Sequence, residues 1–173
     1  MLVTFDNALG RVVGALVWLA CAFIPCIFVM ITIDVSIREV LKITPPLFTS
    51  TIVEYGLLYI TMFSAPWLVR QRGHVAIEAV VQILPPTMRE PLAKVVYFVC
   101  AVTAMWFAYL SVQLFIEAWI SGNLDVRGID MPYWSQFLPM PVGYGLVSLE
   151  FLMFLLGVRH YYTYDLGEVK EGV

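Results

Sequence analysis

Charge is what this chain has least of. Only 13% of its 173 residues are Asp, Glu, Lys or Arg, against about 25% in an ordinary soluble domain. Hydrophobic residues make up 61%, and the mean hydropathy is +0.84. That balance excludes a soluble globular domain. The few charges sum to −3 and form no clustered basic surface, so nucleic acid is not a partner. Histidine is nearly absent: His74 and His160 stand apart at no ligand spacing, so no metal, haem or other cofactor is expected. The three cysteines, Cys21, Cys26 and Cys100, lie inside apolar runs without a CxxC pair and read as small hydrophobes. No phosphate-cradling glycine loop and no GxSxG occurs. With no nucleophile constellation either, the chain is not expected to be an enzyme. The opening MLVTFDNALGR lacks small residues that would mark cleavage after a short apolar core, so the first apolar run is expected to be retained.

What the chain does have is long apolar runs. Four of them, at about 12–33, 47–69, 92–120 and 137–158, are each long enough to cross a hydrocarbon core of about 30 Å as a helix. The expected fold is an all-α integral membrane protein, one four-helix membrane domain over residues 1–173. Thr44-Pro45-Pro46 separates the first two spans, and Ser121-Gly122-Asn123 ends the third. Thr87 and Glu90 have capping-box spacing ahead of the third span, and Pro139 and Pro141 suit the first turn of the fourth. Between spans two and three, residues 74–84 read as a short amphipathic helix lying in the membrane interface. Ile77, Val80, Val81 and Leu84 share one face there, and Pro85-Pro86 ends it. Its basic approach, Arg70, Arg72 and His74, together with Arg89, is expected to sit among headgroups and to anchor and orient the protein.

Four spans put both termini on one side. Seven of the ten Lys and Arg fall on the side of the termini and the 74–84 segment, so the positive-inside bias makes that side cytoplasmic. Glu54, Glu117 and Glu150 are carboxylates inside spans, where an unpaired charge is costly. No basic residue is expected at matching depth, so Glu150, the deepest, is read as a neutral acid hydrogen-bonded to another helix. Only Pro25 interrupts a span deeply and the two hairpins are not evident repeats, which argues against a self-sufficient transport core.

Several motifs together resemble the small membrane subunit, the DctQ-like small permease, of the tripartite ATP-independent periplasmic (TRAP) transporters. They are Asp34-Val35-Ser36-Ile37-Arg38 closing span one, Glu54 in span two, and Arg70-Gln71-Arg72-Gly73-His74-Val75-Ala76-Ile77-Glu78. Leu84-Pro85-Pro86-Thr87-Met88-Arg89, Met131-Pro132-Tyr133-Trp134 and Pro139-Met140-Pro141-Val142-Gly143 follow in the family's order. Tyr59 and Met62 stand where the family often has tryptophan. The resemblance implies a non-catalytic scaffold subunit in the bacterial inner membrane. It would pair with a large, sodium-coupled elevator permease among membrane lipids and help dock a periplasmic substrate-binding protein that delivers an organic anion. Arg38, Glu54, Glu117 and Glu150 become candidates for the partner interface, and Asp125, Arg127, Asp130 and Trp134 for binding-protein docking. The alternative is a self-contained small homo-oligomeric transporter or channel coupled through an intramembrane Glu.

Overall fold

The computed structural model describes residues 2–42, 48–71, 86–126 and 130–157. Its first helix, α1 (Leu2–Ser36), widens at its exit into a π-turn (Ile37–Leu41) that stops at Lys42, whose φ of 50° is left-handed. Helix α2 covers Phe48–Arg70 and α3 covers Pro86–Ser121. A two-residue hairpin follows, β1 (Leu124–Asp125) against β2 (Met131–Pro132), antiparallel with Leu124 opposite Pro132. One short turn, α4 (Trp134–Phe137), leads into α5 (Pro139–Leu155). Four helical stretches, Thr4–Val40, Thr49–Arg70, Pro91–Ser121 and Trp134–Leu155, are long and apolar enough to cross a membrane. The all-α, four-span expectation therefore holds. The first helix begins about ten residues earlier than its apolar run because polar Asp6, Asn7 and Arg11 continue it. The 74–84 segment lies outside the described residues.

Local chemistry explains where the elements stop and start. Pro86 opens α3 because proline suits a first helical position, where its missing N–H has no intrahelical partner. Thr87 to Glu90 thus fall inside the first turn rather than ahead of it. Gly122, at a φ of 59°, closes α3 in the left-handed conformation that a C-terminal glycine adopts at little cost. Pro139 is the first residue of α5 and is fully buried.

The bundle is organised around α5, the most buried of the spans, which packs on both α3 and α2; α1 packs on α2 and is the least buried. On α3, Tyr97, Ala104, Ser111 and Ala118 recur every seventh residue and are all buried. Mostly small residues at that spacing allow close helix approach, which drives association where no hydrophobic gain distinguishes protein from lipid. The Ser148 hydroxyl donates across the same seam to the Ala101 carbonyl at 3.1 Å. Val69, Tyr97, Phe151 and Phe154 form one apolar cluster, and Leu9, Val13 and Met153 a second, both toward the end of the bundle that holds the start of α1.

The α2–α5 crossing depends on one glycine. A Cβ on Gly143 would lie 2.7 Å from the Met62 carbonyl oxygen and 3.0 Å from the Met62 Cβ. Pro66, four residues on and fully buried, has no N–H to give that carbonyl. The two backbones meet where only hydrogen fits. Gly145, two residues further along α5, has open space where its Cβ would go. Gly143→Ala should therefore destabilise the purified protein by about 1–3 kcal/mol through overpacking. Gly145→Ala should be neutral or gain about 0.5–1 kcal/mol from helix propensity. Thermal unfolding in detergent of the two variants side by side checks the contrast.

Candidate functional site

At the N-terminal end of the bundle, three helices converge on one cation. Arg70 is the last residue of α2, and its guanidinium turns back into the bundle rather than out of it. Nη1 donates to Oε1 of Glu150 on α5 at 2.8 Å. Nη2 donates to the Asp6 backbone carbonyl on α1 at 3.2 Å and lies 3.9 Å from the Asp6 carboxylate. The Glu150 side chain has no exposure at all, Arg70 has 19% and Asp6 14%. A charge-assisted hydrogen bond of this length is among the strong ones, and the low local dielectric strengthens it further. Gly10, one turn beyond Asp6, completes the socket: a Cβ there would collide with the guanidinium. Val13, fully buried, lies a turn further along the same helix.

This node corrects two expectations. A basic residue does reach Glu150, so the carboxylate is met by a cation and not by a neutral hydrogen-bond partner. Arg70, expected among headgroups, instead points inward. The reason is register. Counted from the contact between Met62 and Gly143, Arg70 lies eight residues on and Glu150 seven, so the last residue of α2 comes nearly level with Glu150 on α5. Glu150 therefore faces the chain's own interior and offers no surface to another subunit.

The hairpin end carries a second set of polar contacts. The Tyr55 hydroxyl on α2 donates to Oδ2 of Asp125 on β1 at 3.0 Å, in a buried position. One turn along, Tyr59 donates to the Ser135 carbonyl on α4 at 2.7 Å. Trp134 lies on Trp119 of α3 with ring centroids 4.8 Å apart, and Phe115 meets its ring edge-on at 6.2 Å. Asp125 and Trp134, two of the docking candidates, are thus spent on holding the hairpin to α2 and α3. Asp130 remains exposed; Arg127 is outside the described residues.

The other candidates are scattered. Glu54 is exposed and lines a small cavity of about 160 Å³ with Tyr55, Leu58, Gln136 and Met140. The buried Gln136 Oε1 there has no hydrogen-bond partner among the described residues. Glu117 is exposed on α3. Arg38, in the π-turn, pairs at 3.2 Å with Asp34 near the end of α1, with its own side chain 61% exposed; an exposed pair of this kind contributes little. Arg72 and His74 are outside the described residues, and α3 carries Arg89 in its first turn. Among the described residues, no three His, Cys, Asp or Glu side chains stand close enough to hold a metal.

The described contacts are ion pairs, hydrogen bonds and aromatic pairs that join helices to one another. The family model for tripartite ATP-independent periplasmic transporters, DctQ component, matches residues 27–159. The chain belongs to the DctQ family. It is therefore a small component of a TRAP transporter. With its four apolar helices, it is a multi-pass membrane protein. No curated protein and no solved structure matches the chain. The family match begins at residue 27 and so leaves out Asp6 and Gly10, while covering Arg70 and Glu150.

Sequence reasoning picked out Arg70 and Glu150 separately but missed their pairing; it gave no role to Asp6, Gly10 or Tyr55, and it placed Gly143 in a motif without its contact to Met62. One signal was available: Asp6 and Gly10 are four residues apart and so share a helix face. Removing one partner of a buried pair leaves an uncompensated charge. Arg70→Met is thus expected to lower stability by about 3–5 kcal/mol, while the double variant Arg70→Met/Glu150→Met should recover most of that loss. Thermal unfolding of the wild type, both single variants and the double variant in one detergent measures the coupling.

Proposed function

We propose that this DctQ-family protein is the static frame of a secondary uptake transporter. It would pair with a large elevator-type permease that carries substrate and sodium, and it would help a periplasmic binding protein dock while delivering an organic anion. The observation that carries this reading is the Arg70 node, which ties α1, α2 and α5 at one end of the bundle. Helices that slide past one another during transport need interfaces with interchangeable contacts, whereas a buried ion pair held at 2.8 Å has one arrangement.

The Lys and Arg distribution supports a cytoplasmic location for both termini and for the Arg70 end, in the bacterial inner membrane. The hairpin then faces the periplasm, where exposed Asp130 and its neighbour Arg127 are the residues left to meet a binding protein. Arg72, His74 and Arg89 keep their proposed role of holding the cytoplasmic side at the headgroups.

The runner-up, a homo-oligomeric carrier working through an intramembrane Glu, finds less support. Glu150 is engaged by Arg70 and sealed from any conduction path. Glu54 lies sixteen residues before Arg70 on α2, about 24 Å away along the helix, so the two carboxylates do not form a relay. Solubilising tagged protein from its native membrane in gentle detergent, with mass spectrometry of what co-elutes, tests the proposal. A large multi-span membrane protein in near-equal amount is expected; a homo-oligomer without one would contradict it. Glu54→Gln should leave uptake by the intact transporter at wild-type level, whereas loss of uptake with normal assembly would favour the carrier reading.

A further inference from the structure

Where α2 meets α4, one buried acceptor has no donor. The side-chain oxygen Oε1 of Gln136 is closed off from solvent and accepts no hydrogen bond among the described residues. A buried carbonyl oxygen left unmet carries its full desolvation cost, so folded proteins rarely keep one. Three hydroxyls near it donate elsewhere. Tyr55 gives its hydrogen to Asp125 at 3.0 Å, Tyr59 to the Ser135 carbonyl at 2.7 Å, and Ser135 to the Pro132 carbonyl at 2.8 Å.

Gln136 is one wall of the cavity of about 160 Å³ whose other walls are Glu54, Tyr55, Leu58 and Met140. Glu54 is exposed, six residues from the start of α2, and is already engaged; its carboxylate has acceptor sites for more than one donor. Leu58 and Met140 offer no side-chain donor at all. Whatever fills this space must therefore bring hydrogen to Gln136, and an acyl chain brings none. A hard cation asks for about six oxygens, more than Gln136, Glu54 and Tyr55 supply. Water fits on both counts. It donates twice, and the cavity has room for a few molecules at about 30 Å³ each.

We infer that this cavity is a hydration site. A water entering beside Glu54 donates one hydrogen to Gln136 Oε1 and the other to the Glu54 carboxylate. The bridge ties α2 to α4 a second time, beside the direct bond from Tyr59. Water-mediated links of this kind are nearly as favourable as direct ones. Nothing in the inference depends on which subunits surround the chain.

Radiolytic hydroxyl labelling of the purified full chain in detergent, read by tandem mass spectrometry, tests it. An X-ray pulse splits water where it sits, and the radicals mark the side chains beside it. Met153, buried against Leu9 and Val13, is the dry reference. The inference expects Leu58 and Met140 to be labelled well above Met153 in the wild type. Gln136→Met keeps the length of the side chain and removes the acceptor. It should lose most of that label and unfold about 2–4 °C lower. Wild-type label no higher than that of Met153 would mean a dry cavity and overturn the inference, whether or not the variant folds. Equal label in wild type and variant overturns it too, because bulk water would then reach these side chains without Gln136. A variant that unfolds at a higher temperature would show that Oε1 is unmet in the native protein. Label that appears only with Arg127→Gln would show that the chain's own arginine takes the place of the water.

Discussion

A carboxyl group with no solvent exposure, inside a helix meant for a membrane, either stays neutral or is answered by a cation. In this protein the answer is Arg70, and much of the architecture follows from it. To reach Glu150 the guanidinium must turn inward from the last residue of α2, which requires α2 and α5 to lie side by side and run in the same direction. Its remaining N–H groups then need acceptors, and the Asp6 carbonyl and carboxylate supply them, which carries α1 into the same site. Gly10 is glycine because the space beside it is filled by the guanidinium. One buried charge thus fixes the relative placement of three helices. Such a pair adds less net stability than its short distance suggests, because desolvation offsets much of the attraction. What it does fix is geometry, because one guanidinium meets α5 and α1 at once.

The hairpin end solves the same problem with milder means. Tyr55 and Tyr59 present hydroxyls from successive turns of α2 to Asp125 and to the Ser135 carbonyl, while Trp119 and Trp134 meet at a tilt between α3 and α4. Aromatic side chains with polar tips suit a membrane–water boundary. Between the two ends the backbones of α2 and α5 touch at Met62 and Gly143. A bundle tied at both ends and closely packed between them has little room for internal sliding, which is the property a fixed subunit needs beside a moving one.

How much of this was legible in the sequence depended on the range of the interaction. The four helices were plain in the apolar runs, because hydrocarbon thickness sets a length that composition reveals directly. Glycine at 122 and proline at 86 and 139 marked ends for local conformational reasons. Glu150 stood out as a carboxylate in an apolar run, but its partner did not: Arg70 closes span two and reads as a headgroup residue, and the register of α2 against α5 that brings it level with Glu150 is set by tertiary packing. Asp125 and Trp134 looked like free loop residues because the folding back of the hairpin onto α2 and α3 is a tertiary event with no local signature. Gly143 read as one helix glycine among several, since only the crossing at Met62 distinguishes it from Gly145.

The claim at the centre of this account is that the bundle stays rigid while the transporter works. Double electron–electron resonance between spin labels at Val12 on α1 and Val95 on α3, both exposed, measures it in the assembled transporter. The native cysteines Cys21, Cys26 and Cys100 would be replaced first. The account predicts one narrow distance distribution whose centre moves by less than about 1 Å between sodium-free, sodium-loaded and substrate-loaded states. A second distance, or a shift of several ångströms on loading, would show that this subunit moves during transport and would contradict its role as a frame.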